Sequence, residues 1–265
     1  MARILVTEEL APRGLDLMRA AGHEVDVRLN LSPDDLLAAV AGAAALIIRS
    51  ATTVTAEVLA AGTDLVVVGR AGIGLDNVDV ASATSRGVMV VNAPTSNIVS
   101  AAELAVALML AAARHVSPAH QALRNGEWKR SKYTGIELYE KTVGIVGLGR
   151  IGVLVAQRLS AFGMQVIAYD PYVQAGRAAQ MGVRMVSLDE LIAESDFISV
   201  HLPKTPETIG LIGAEQLAKA KPSLVLVNAA RGGIVDEMAL YDALKTGQIT
   251  AAGVDVFAKE PCTDS

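Results

Sequence analysis

The chain has 265 residues, enough for two modest domains or one large α/β unit, and 52% of them are hydrophobic but only 3% aromatic, so the core must be built from Ala, Val, Ile and Leu. A formal net charge of −5 gives no global attraction to nucleic acid or to anionic lipid, and neither is an expected partner. The single cysteine, Cys262, excludes an internal disulfide framework and a cysteine metal cluster; no metal site is expected, and a reducing, cytoplasmic setting is the natural reading.

The opening residues, Met1-Ala2-Arg3-Ile4-Leu5-Val6-Thr7-Glu8-Glu9, reach acidic side chains too early for a signal peptide. Short β-branched runs predict strands at 4–6, 25–28, 45–49, 65–69 and 88–91, with helical stretches such as 13–20 and 33–40 between them. Ser32 is a plausible N-cap with Pro33 in the first helical position. The alternation pauses at Asn92-Ala93-Pro94-Thr95-Ser96-Asn97, which sets an expected boundary between domains at 1–95 and 96–265. A long Ala-rich helix is expected over 100–115; it is apolar nearly all round, as buried helices are, and its longest apolar run, 104–113, is too short to span a bilayer. A polar, basic segment follows over 124–132. Strands then resume at 142–146, 165–169, 197–200, 224–227 and 251–254, with helices such as 151–162, 187–194 and 236–246. Strands alternating with helices imply βαβ units and parallel sheets, so the expected class is α/β.

One turn in this series carries chemistry. Gly147, Gly149 and Gly152 have the G-x-G-x-x-G spacing, weak alone but here set between a buried strand at 142–146 and a helix beginning at Ile151. The first glycine permits the tight turn, the second lets the backbone approach a pyrophosphate, and the third lets helix and strand pack closely. The helix N-terminus offers N–H groups and partial positive charge to the phosphates. The next strand ends in Asp170, placed to accept bonds from ribose hydroxyls and to repel a 2′-phosphate, which favours NAD over NADP. A second candidate, Gly72-Ile73-Gly74, has Asn77 in the third glycine position and reads as a tight loop. Position alone leaves Arg231, at a strand end beside Gly232-Gly233, open between an anion-binding side chain and a surface one.

Five segments in this order resemble the D-isomer-specific 2-hydroxyacid dehydrogenases: Arg70-Ala71-Gly72-Ile73-Gly74-Leu75-Asp76-Asn77-Val78-Asp79, Asn92-Ala93-Pro94, the glycine loop, Asn228-Ala229-Ala230-Arg231-Gly232-Gly233, and Val254-Asp255-Val256-Phe257 with Glu260-Pro261. The resemblance implies a smaller flavodoxin-like substrate domain followed by a Rossmann-type nucleotide domain, with NAD as cofactor. It implies hydride transfer at C2 of a small phosphorylated 2-hydroxy acid. It casts Arg231 as the residue that holds the substrate carboxylate, and Glu260 as the partner of a catalytic histidine. It lines the cofactor with Ile73, Leu202, Ala229 and Asp255 beside Gly147, Gly149, Arg150, Ile151, Gly152 and Asp170. It gives Arg49, Ser50, Arg70 and Asn97 to the substrate's acid groups.

His201 ends a strand that borders the cofactor in the family, whose histidine comes from elsewhere. That histidine sits in a Pro-His-x-Gly segment beyond Glu260-Pro261, and neither it nor the family's returning C-terminal helix lies within these 265 residues. The chain therefore reads as truncated and is expected to bind NAD without turning over substrate. The resemblance also implies a homodimer or higher homo-oligomer formed through the helix near 101–113. The basic segment from Trp128 to Lys132 stays open between reaching a partner's site and an ordinary solvated loop. The same chemistry on glyoxylate or hydroxypyruvate, and a non-catalytic NAD-binding regulator, are the alternatives. Formate dehydrogenase is disfavoured because its relatives usually carry glutamine where Glu260 stands.

Overall fold

The computed structural model describes residues 1–263, which cluster into two compact units divided between Asn97 and Ile98. The first holds strands β1 (Arg3–Val6), β2 (Glu24–Val27), β3 (Ala45–Ile48), β4 (Val67–Arg70) and β5 (Met89–Asn92), with helices α1 (Pro12–Ala20), α2 (Pro33–Val40), α3 (Ala56–Ala61) and α4 (Val80–Ser85) between them. The strands form one parallel sheet in the order β2-β1-β3-β4-β5, the doubly wound flavodoxin order. Leu5, Leu46, Ile48 and Val68 bury one face beneath Leu36, Ala39 and Val40 of α2 and Val58 and Leu59 of α3. Ile4, Val6 and Ala45 face the other way, toward Leu15 and Met18 of α1. The expected cap of α2 is present: Ser32 Oγ accepts from the Asp35 N–H at 3.2 Å, a contact usually worth about 1 kcal/mol.

The second unit opens with α5 (Ile98–Ala113) and α6 (Val116–Arg124), then a 3₁₀ turn at Arg130–Tyr133. Beside that turn Trp128 is 73% exposed, with the Arg130 guanidinium 5.6 Å above its ring. The alternation follows: β6 (Thr142–Val146), α7 (Arg150–Ala161), β7 (Gln165–Tyr169), α8 (Ala175–Ala179), β8 (Arg184–Met185), α9 (Leu188–Glu194), β9 (Phe197–Val200), α10 (Ala214–Ala218), β10 (Val225–Asn228), α11 (Glu237–Lys245) and β11 (Ala251–Val254). The sheet is parallel throughout, in the order β11-β10-β9-β6-β7-β8. Counted within the unit that is 6-5-4-1-2-3, the Rossmann order read from its far edge.

Successive residues alternate between two cores, as the period of a strand requires. Val143, Ile145, Phe197, Val225 and Val227 pack under α5 and α7, while Val146, Ile198, Val200 and Leu226 pack under α9, α10 and α11. The α/β class and parallel sheets expected from the alternation are what the chain forms. Several bounds shift by a residue or two: the tenth strand is Val225–Asn228 rather than 224–227, and the long helix is Ile98–Ala113 rather than 100–115. Among the described residues no single helix is long and apolar enough to cross a membrane. α5 is a core helix, with Ala102, Ala105 and Met109 fully buried against α7, β10 and β11.

Candidate cofactor and substrate sites

In the second unit the site residues gather at the C-terminal ends of the parallel strands, where open α/β sheets bind ligands. The sheet's order reverses between β6 and β9, and the glycine loop leaves the first of these. Gly147 takes φ +99°, and a Cβ there would press on the His201 carbonyl group at 2.8–2.9 Å. A Cβ on Gly152 would collide with the Gly147 carbonyl, so the third glycine is what lets α7 start against the strand. Gly149 differs. A Cβ there would meet nothing within 4 Å, so the space beyond this backbone is open at the N-terminus of a twelve-residue helix. That open cradle fits a pyrophosphate.

Asp170 follows β7 and closes back on the loop. Its Oδ2 accepts from the Leu148 N–H at 2.8 Å and its Oδ1 from the Tyr172 N–H at 2.8 Å. The acid at the strand tip is thereby fixed beside the glycine turn. Arg150 is exposed at the helix start, Ile151 is half-buried, and Leu202 is buried just after β9. His201 belongs to the scaffold. Its N–H donates to the Val146 carbonyl at 2.7 Å, and its Nε2 lies 2.8 Å from Ser199 Oγ. Burial pushes its pKa down to about 4, so the ring is neutral near pH 7.

Ala229 and Arg231 follow β10, and Asp255 follows β11, where its N–H donates to the Asn228 carbonyl at 3.1 Å. The turn is built by Asn228, which the sequence presented only as part of a motif. Its buried Oδ1 accepts from the Ala230 N–H at 3.1 Å, and its Nδ2 donates to the Arg231 carbonyl at 3.0 Å. An Asn at a strand end bonding its own backbone two residues on is the available sequence signal. The Arg231 guanidinium donates to the Ala230 carbonyl at 2.7 Å. A Cβ on Gly232 would collide with the Phe257 carbonyl, so this turn is packed directly on the segment leading to Glu260. Glu260 is exposed and accepts from the Phe257 N–H at 2.9 Å, while the Glu237 carboxylate accepts from the Ala258 N–H.

In the first unit Arg49 and Ser50 follow β3, Arg70 ends β4, Ile73 lies in the loop after it, and Asn97 is the last residue. Arg70 is buried and its Nε donates to the Arg49 carbonyl at 3.1 Å, so the two arginines are joined. Arg49 and Ser50 are exposed. A cavity of about 550 Å³ opens beside them at the ends of β1, β2 and β3, with Glu8, Asn30, Arg49 and Thr52 in its wall. It sits at this sheet's own reversal of order, between β1 and β3. Glu8 and Asn77, to which the sequence reading gave no role, both bond the Arg49–Thr52 backbone from more than twenty residues away. No local pattern announces such long-range bonds.

These features are those of a dinucleotide-binding α/β fold, and the chain belongs to the D-isomer-specific 2-hydroxyacid dehydrogenases. Residues 106–265 match the family model described as "D-isomer specific 2-hydroxyacid dehydrogenase, NAD binding domain", which makes NAD the cofactor of the second unit. The chain is 62% identical over 264 residues to the D-3-phosphoglycerate dehydrogenase of Mycobacterium bovis, covering 99% of this chain and 49% of that one. It is 51% identical over 259 residues to the protein of the same name from Archaeoglobus fulgidus, covering 98% of this chain and 49% of that one. The chain thus spans about half the length of the curated relatives it matches. Among solved structures it is similar to an NAD-dependent formate dehydrogenase from Staphylococcus aureus in complex with NAD (TM-score 0.88, 32% identity, 100% of this chain and 84% of that one). It is also similar to a glyoxylate reductase from Paecilomyes thermophila (TM-score 0.89, 30% identity, 99% and 84%).

Proposed function

We propose that this chain carries the cofactor and substrate residues of an enzyme that oxidises D-3-phosphoglycerate at C2 to 3-phosphohydroxypyruvate, the step that opens the phosphorylated route to L-serine. The observation that carries the reading is the 62% identity along 264 residues to relatives named for that activity. Bound NAD supplies the hydride acceptor, C4 of its nicotinamide. The chain's own groups bind, orient and polarise. The N–H groups of Gly149, Arg150 and Ile151 hold the pyrophosphate, and Asp170 takes the adenosine ribose. Leu202 and Ala229 shape the cofactor's surroundings, and Asp255 orients the nicotinamide amide. Arg231 grips the substrate carboxylate and polarises the C2 oxygen as it becomes a carbonyl. Asn228, bonded to the turn on both sides, fixes where that guanidinium begins.

The C2 hydroxyl proton must leave as the hydride departs. Glu260 is the member of the family's acid–base pair among these residues, and it supports the histidine that takes the proton. His201 is a poor substitute for that histidine, because its ring is turned to Ser199 and burial makes it a weak base. Arg49, Ser50, Arg70 and Asn97 supply the anion contacts of the first unit; the phosphate is the group that calls for two arginines. Titration calorimetry with NAD present tests the reading. D-3-phosphoglycerate should bind about ten-fold more tightly than D-glycerate, the difference being the phosphate contacts. Equal affinity for D-glycerate, or tighter binding of glyoxylate, would move the activity to the non-phosphorylated hydroxy acids.

A further inference from the structure

The loop after β3 is held from both sides by side chains far away in sequence. The N–H groups of Arg49, Ala51 and Thr52 all donate to one carboxylate, that of Glu8, at 2.8, 3.0 and 3.0 Å. The carbonyls of Arg49 and Thr52 accept from the Asn77 amide at 2.8 and 2.6 Å. Thr52 Oγ1 lies 2.8 Å from Thr7 Oγ1, one residue before Glu8. Backbone N–H groups converging on one point form a nest, a concavity that binds carboxylates and phosphates. Here the anion is part of the chain. Burial works against charge on Glu8, but the N–H donors prevail and hold its pKa below the ordinary carboxylate value. Asn77 commits its amide to the loop while its Oδ1 stays buried without a partner. An unpaired buried oxygen is a cost, which the two loop bonds offset.

We propose that Glu8 and Asn77 are positioning residues for the substrate loop: Glu8 fills the nest at residues 49–52 as its built-in anion, Asn77 ties the loop's carbonyls, and together they hold Arg49 and Ser50 ready for the substrate's acid groups. The proposal rests on the assignment of Arg49 and Ser50 to the substrate. It also separates two roles that one loop could confuse. Because the nest is already full, the loop offers an incoming anion its side chains and not these three N–H groups.

The test uses Glu8→Ala and Glu8→Gln in the full chain, with three readouts: amide hydrogen exchange at Arg49, Ala51 and Thr52, affinity for D-3-phosphoglycerate, and affinity for NAD. In Glu8→Ala the three amides should exchange about ten-fold faster and phosphoglycerate should bind about ten-fold more weakly, with NAD affinity unchanged. Sodium formate should reverse both losses, since a small carboxylate can re-enter the nest; a role in packing alone would not respond to it. Glu8→Gln, which keeps the shape and one acceptor oxygen, should fall between, and it serves if Glu8→Ala loses NAD binding through misfolding. Unchanged exchange at the three amides would overturn the nest whatever the substrate does. Tighter phosphoglycerate binding in Glu8→Ala would show that the nest belongs to the substrate and that Glu8 blocks it. Arg49→Ala, titrated alongside, separates the premises: if it leaves phosphoglycerate affinity unchanged while the amides still respond to Glu8→Ala, the substrate assignment fails and the clamp stands as structure only.

Discussion

Asp170 holds the glycine loop with the same carboxylate that we propose for the ribose. It already accepts from the Leu148 and Tyr172 N–H groups, which leaves its remaining lone pairs for ribose hydroxyls. Replacing it by Ala should weaken NAD binding by roughly 1.5–3 kcal/mol and narrow the preference over NADP, because the repulsion of a 2′-phosphate goes with the charge. Calorimetric titration of both cofactors measures this, and unchanged affinity for each would remove Asp170 from the site. His201 leads to a prediction about pH. Its folded pKa of about 4 lies below its unfolded value of 6.5, so between the two the unfolded chain binds more protons. The second unit should therefore lose stability as pH falls from about 6.5 to about 4, with His201 adding nothing further above that range. In His201→Gln the melting temperature should fall less steeply over the same window. Parallel slopes in the two proteins would show that the ring protonates freely in the fold. The place of Asp170 beside the glycine loop was legible because consecutive strands of a βαβ unit bring the second strand's tip next to that turn. Glu8 was not, because its three bonds span 41 to 44 residues and depend on two strands lying side by side.

The glycine loop makes a sharper experiment at the level of the strand–turn–helix element. Gly152 faces backbone and Gly149 faces open space, although both belong to one spacing pattern. Gly152→Ala should destabilise the second unit, since Cβ meets the Gly147 carbonyl and neither group can swing aside. Gly149→Ala should melt near the wild-type temperature, its φ of −73° being acceptable to alanine, yet lose NAD affinity because the methyl group stands where the phosphates approach. Thermal melts paired with NAD titrations separate the two; a stable Gly152→Ala that binds NAD normally would contradict the geometry. Elements as a class were legible where a β-branched run met a glycine or a capping residue. β8 was missed because two residues, paired on one side only, carry no period. α3 and α4 fall where the alternation called for helices, but their bounds were not legible because six residues are under two turns. Their caps were the overlooked signal: Thr55 and Asp79 each accept from the N–H three residues on.

Across the whole molecule, aliphatic packing replaces aromatic bulk. Phe197 is the largest fully buried side chain, at the centre of the sheet that carries the glycine loop. Phe197→Ala should cost the second unit about 3–5 kcal/mol, read as a shift in the denaturation midpoint, because small aliphatic neighbours cannot close the cavity. A loss below about 1 kcal/mol would mean that the core relaxes around the gap. The two parallel sheets were legible from alternation and the low aromatic content; the reversal of strand order that places each site was not, since spatial order is set by helix packing across faces. The exposed ring of Trp128, stacked under Arg130, has a practical consequence for anyone following this protein by light. It is the only tryptophan, so indole emission watches one surface segment and is nearly blind to the collapse of either sheet. A flat fluorescence trace in denaturant would not mean a folded protein, whereas a shift in native buffer would register something coming to rest on residues 128–133.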